Sequence, residues 1–71
     1  MSREILKRFG KRLRQVREEQ KMTQLQLAEK VGIENSYLST VENGHKEPCL
    51  EVIAMLAAGM GVSLRKLFWD L

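Results

Sequence analysis

Residues 23–44 read TQLQLAEKVGIENSYLSTVENG, and the polar residues of this stretch mark where two helices begin and end. Thr23 and Gln26 have the spacing of a capping box, in which each side chain satisfies a backbone donor at a helix start, so a helix is predicted from Gln24. It runs through Leu25, Leu27, Ala28 and Val31 and stops at Gly32, which accepts the left-handed backbone that helix ends often require. After Ile33, residues 35–42 form the next helix: Leu38 and Val41 stand three apart among polar neighbours, and Asn43-Gly44 is a second stop. Helices joined by so short a turn must cross steeply. Ala28 is the small residue that close crossing needs, and Leu27, Val31, Ile33, Leu38 and Val41 are placed to hold the pair together.

Working outward, residues 2–20 carry Leu6, Phe9, Leu13 and Val16 on one stripe of an amphipathic helix, with Gly10 weakening it by about 1 kcal/mol relative to alanine. On the other side, Pro48 suits the first turn of a fourth helix, where a missing N–H costs nothing. Leu50, Ile53, Ala57 and Met60 continue it at helical spacing, and Gly59 and Gly61 mark its fraying end. Ser63 caps a last short helix from Leu64, whose Leu67, Phe68, Trp69 and Leu71 are unusually apolar. Both apolar stripes, Leu6/Phe9/Leu13/Val16 and Leu50/Ile53/Ala57/Met60, read as core packing. The expected fold class is all-α, five helices and no strands, and with no repeat or linker the 71 residues form one domain, 1–71.

The chain carries a net charge of +3 and a pI near 9.4, which favours polyanionic partners without choosing among them. Arg3, Lys7, Arg8, Lys11, Arg12, Arg14, Arg17 and Lys21 are concentrated at the start, and the remainder is net acidic. This is either a solvated helix face or part of an electrostatic footprint for phosphates. Cys49 is the only cysteine, and the charged start lacks the apolar stretch of a secretory signal, so a reducing, cytoplasmic setting is expected. No run approaches the roughly 18 consecutive apolar residues of a membrane span. His45 and Cys49 lack a second pair to complete a metal site, and no positioned carboxylate pair or phosphate-binding glycine loop supports catalysis. Neither an enzyme nor a cofactor is expected.

With a basic helix ahead of it and two helices behind, the stretch resembles the helix-turn-helix of the phage repressor and Cro family, also called the XRE family. The resemblance covers nearly the whole chain, and its ending, Val41-Glu42-Asn43-Gly44 with a proline soon after, is typical of that family. It implies a compact repressor-like domain whose third helix lies in the major groove with its N-terminal residues toward the base edges, while the second helix crosses the backbone. Asn35, Ser36 and Thr40 match base-reading positions, with Ser39 and Tyr37 flanking them. Gln24, at a helix start, matches a phosphate-holding position, Thr23 and Asn43 are similar candidates, and Lys46 lies in the loop beside the DNA. Arg17 and Glu42 match a pair that often forms a salt bridge from helix one to the end of helix three, with the arginine near the DNA backbone. On its own terms the pair is equally a surface ion pair worth about 0 to 1 kcal/mol.

Two departures from the family pattern stand out. Glu34 replaces a short capping residue and would repel nearby phosphates, and none of the base-reading candidates is arginine or lysine. Direct reading is therefore expected from Asn35 to adenine and from Thr40 or Tyr37 against thymine methyl groups, with DNA shape or water supplying the rest.

A single module of this kind buries only about 600 to 1,000 Å² on DNA, which favours a homodimer reading a palindromic operator with half-sites roughly 34 Å apart. The apolar tail either folds back on its own core or forms a partner surface with Val52 and Met55. The expected dimer interface joins Val52, Met55, Leu64, Leu67, Phe68 and Trp69. The function expected is a double-stranded DNA-binding transcriptional regulator that blocks or recruits RNA polymerase, in size like small phage repressors and restriction-modification controller proteins. The alternative is a protein-interaction module, such as an antitoxin or the DNA-reading subunit of a larger complex. DNA binding weakens steeply with salt and apolar docking does not, so salt separates the two.

Overall fold

The computed structural model describes residues 3–71. Among them are five α-helices: α1 (Arg3–Glu19), α2 (Gln24–Val31), α3 (Asn35–Glu42), α4 (Leu50–Met60) and α5 (Leu64–Leu67). Ser2, at the expected start of the first helix, lies outside the described residues.

The capping box forms as its spacing requires. Thr23 Oγ1 accepts from the Gln26 amide at 3.1 Å, and Gln26 Oε1 accepts from the Thr23 amide at 2.9 Å. Gly32 closes α2 at φ +78°, and its amide donates back to Ala28 O at 2.9 Å. The start of α3 is different, because Glu34 makes no capping hydrogen bond to the helix. At the last helix, Ser63 Oγ accepts from the Lys66 amide at 3.1 Å.

Phe9, Leu13 and Val16 of α1 meet Leu27, Ala28, Leu38, Val41, Ile53, Leu56, Ala57, Met60 and Leu67 in one buried core. Every helix contributes to it. α1 packs against α3 and α5, α2 packs against α3 and α4, and α4 meets α5. The molecule measures 28 × 23 × 20 Å.

Several positions differ from the sequence reading, each for a tertiary reason. Leu50 is 71% exposed rather than part of the α4 core stripe, and Leu56, outside the expected stripe, is fully buried. Pro48 precedes the helix instead of opening it: Cys49 is the N-cap, and the proline ring is buried. Gly59 is no fraying end, since α4 continues to Met60; it is buried where a Cβ would collide with Val31 Cγ1 of α2. Gly10, read as a weakness of α1, is the point where α1 meets the end of α3. A Cβ there would stand 2.6 Å from Val41 O and closer still to Glu42 O. The apolar tail folds back on its own chain: Leu67 is fully buried and the Phe68 ring lies 5.6 Å from that of Phe9. Leu67 therefore has no surface to offer a partner, whereas Trp69 is 64% exposed.

Candidate nucleic-acid interface

Glu42, the last residue of α3, is the anchor of the site. Its side chain is 1% exposed, and its carboxylate receives Arg17 from α1 through Nε at 2.7 Å and Nη2 at 3.0 Å. Two parallel, charge-assisted bonds of this kind fix orientation as well as distance. Arg17 Nη1 donates to Met22 O at 2.7 Å, so all three guanidinium nitrogens are engaged within the chain. Gln24 Nε2 donates to Glu42 Oε1 at 2.9 Å. One carboxylate thus locks α1, the first turn of α2 and the end of α3 together, and among the described residues no buried side-chain nitrogen or oxygen lacks a hydrogen-bond partner.

This corrects the sequence reading of the pair. Arg17 and Glu42 are a buried bidentate bridge and not a surface pair, and Arg17 has an 8% exposed side chain with no nitrogen free of a partner inside the chain. The contribution of Gln24 to the same carboxylate was missed. Its spacing from Glu42 gives no local signal, although polar residues at the two ends of so tight a helix pair were a clue.

Beyond this anchor α3 turns outward. Asn35 and Ser36 are exposed, and Ser39 and Thr40 are half-buried on the same side, at the i, i+1, i+4, i+5 spacing of one helix face. The Thr40 hydroxyl donates to Ser36 O, the carbonyl four residues earlier in its own helix, at 2.8 Å. Ser36 Oγ stands 3.5 Å from Glu34 Oε2. Tyr37 is half-buried against the core, with Lys46 Nζ 5.8 Å from its ring centroid, which ties the loop after α3 to the helix. Thr23, Asn43 and Lys46 are exposed around the rim and Gln24 is half-buried. The candidates for base and phosphate contact belong to α2, α3 and the residues at their ends. Those for dimerisation lie elsewhere: Val52 and Phe68 are half-buried, and Met55 and Leu64 are 37% and 39% exposed.

A capped helix crossing a second one, whose polar face is presented outward by a buried anchor, defines a helix-turn-helix DNA-binding regulator. Residues 13–67 match the family model described as Helix-turn-helix, which covers most of the chain. The chain belongs to this family, of the phage repressor and Cro type, and the family is not one of enzymes. It is 36% identical over 55 residues to the immunity repressor protein of Bacillus phage phi105, covering 78% of this chain and 38% of that repressor. It is 32% identical over 65 residues to the control protein C.MunI of a Mycoplasma species, covering 90% and 88% of the two chains. The chain thus spans well under half of the phage repressor but most of the control protein. The crystal structure of the restriction-modification controller protein C.AhdI from Aeromonas hydrophila superposes with a TM-score of 0.90 at 35% identity, over 93% of this chain and 96% of that one. Among the described residues, no helix is long and apolar enough to cross a membrane.

Proposed function

We propose that this protein is a sequence-specific regulator of transcription that binds a palindromic double-stranded DNA operator as a homodimer in the cytoplasm, with α3 in the major groove. The observation that carries the reading is the polar face of α3, with Asn35 and Ser36 exposed and Thr40 half-buried, on a helix whose end is held by the Glu42, Arg17 and Gln24 hydrogen bonds. Asn35 reads adenine, and Thr40 or Tyr37 packs on thymine methyl groups, with Ser36 and Ser39 alongside. Gln24, Thr23, Asn43 and Lys46 hold phosphates; Arg17 acts on the DNA through Glu42 and Gln24 rather than directly. Two copies meet through Val52, Met55, Leu64 and the exposed Trp69, with Phe68 beside them and Leu67 supporting the patch from the core. Occupancy of a promoter operator then blocks or recruits RNA polymerase, and all 71 residues serve as one domain.

The test is selection of binding sites from random duplex DNA, followed by titration at two salt concentrations with wild type and Asn35→Ala/Thr40→Ala. The expected winner is a palindrome with half-sites roughly 34 Å apart. The double variant loses preference for it while keeping the salt slope, because its phosphate contacts are intact. Failure to enrich any sequence would overturn the reading.

A further inference from the structure

On the side of α1 away from α3, an open hollow of about 520 Å³ is lined by Arg8, Lys11, Arg12, Gln15, Trp69 and Asp70, with Leu71 at its end. A second hollow of about 250 Å³ is lined by Arg12, Ser63, Arg65, Lys66 and Trp69. Arg12 and Trp69 line both, so the two form one trough between α1 and α5 with an indole at its waist. Of the residues proposed for the dimer patch, Trp69 lines the trough, and Val52, Met55, Leu64, Leu67 and Phe68 line neither part.

Cations dominate its walls. Arg12 donates through Nε and Nη2 to Lys66 O at 3.1 and 2.8 Å and through Nη1 to Gln15 Oε1 at 2.9 Å; Arg8 Nη2 donates to Asp70 O at 3.0 Å. These partners are neutral oxygens, so they orient the guanidinium groups without cancelling their charge. Pre-oriented cations lose less side-chain freedom when an anion arrives. Among the described residues, Lys66 is matched by the Glu19 carboxylate at 3.6 Å, and Asp70 is the acidic side chain of the lining. Trp69, 64% exposed among these charges, is the kind of rigid aromatic that anchors protein interfaces.

We propose that this trough is a docking site for an acidic peptide segment of a partner protein, whose carboxylates meet Arg8, Lys11, Arg12 and Arg65 and whose apolar side chain covers Trp69. Charge complementarity selects an anion. The open shape selects an extended chain over a small molecule, which needs a cleft that encloses most of its surface. The α1 residues that line the trough, Arg8, Lys11, Arg12 and Gln15, are on a different face of that helix from Gly10, which meets the end of α3.

Trp69 is the only tryptophan, so its emission reports on the trough directly, and the experiment needs no operator, which keeps its outcome separate from that of the DNA reading. The probe is a synthetic peptide of about twelve residues, Asp and Glu with a central Phe and Leu, compared with its Asn/Gln analogue and with a non-operator duplex. The acidic peptide is expected to shift Trp69 emission saturably and to bind at least about tenfold more weakly at high than at low salt. Lys11→Glu and Arg65→Glu, both at exposed positions, should each weaken it at least about fivefold without changing the thermal melt. Trp69→Ala, followed with a labelled peptide, should weaken it similarly. The proposal is overturned if the acidic peptide gives no saturable change, if the neutral analogue binds equally, or if the charge reversals leave binding unaltered. Displacement of the peptide by the duplex would also overturn it, by making the trough a phosphate surface.

Discussion

Glu42 serves three donors with two oxygens, and removing it would strand the Arg17 guanidinium in a nearly closed site. Breaking a buried pair by deleting one partner costs about 3 to 5 kcal/mol. That is a large share of the roughly 4 to 10 kcal/mol that a chain of this size holds, so Glu42→Ala is expected to melt well below wild type, as urea or thermal denaturation would show. Arg17→Met/Glu42→Leu should recover most of the stability, because an apolar pair of similar volume removes the stranded charge. The same variant should still bind the operator poorly, since Gln24 has lost its tether; equal affinity would refute the positioning role given to the bridge. Thr40 separates its two functional groups in another way. Its hydroxyl already bonds Ser36 O, so Thr40→Val should keep operator preference, whereas Thr40→Ser loses a methyl worth about 0.8 kcal/mol, roughly fourfold in affinity. A reversed order in a titration would mean that the hydroxyl, and not the methyl, reads the base.

At the scale of the helices, space and conformation can be told apart at two glycines. Gly10→Ala adds about 1 kcal/mol of helix propensity but drives a Cβ into the Val41 and Glu42 carbonyls, which are backbone and cannot swing aside. Overpacking of about 1 to 3 kcal/mol should win, lowering the melting temperature by several degrees. At Gly32 a Cβ meets nothing, so Gly32→Ala is expected to cost only the roughly 1 kcal/mol of a left-handed backbone, read from the same melts. Helix boundaries were legible from the sequence because caps are local: Thr23 with Gln26, Gly32 and Ser63 act within a few residues of themselves. The exposure of Leu50, the burial of Pro48 and the tight seats of Gly10 and Gly59 were not, because each depends on which distant helix lies opposite. The candidate reading face was legible through the family resemblance of residues 23–44, while the burial of the Arg17–Glu42 bridge and its link to Gln24 came only with the assembled fold.

For the molecule as a whole, the two proposed surfaces predict different failures. Met55→Glu/Leu64→Glu places charge on the dimer patch and should give a monomer by sedimentation, with operator affinity falling by at least about tenfold as one half-site is lost. Retention of a dimer would move the interface elsewhere. The division of α3 has a further consequence for how such a protein changes over time. Leu38, Val41 and Glu42 bind the helix to the body, while Asn35 and Ser36 face outward and carry almost none of the fold. Exchanges at exposed positions of this kind usually alter stability by no more than about 0.5 kcal/mol. With the base-reading role proposed for these residues, the protein can be given a new address on the genome by rewriting a few outward letters, without renegotiating the scaffold that delivers them.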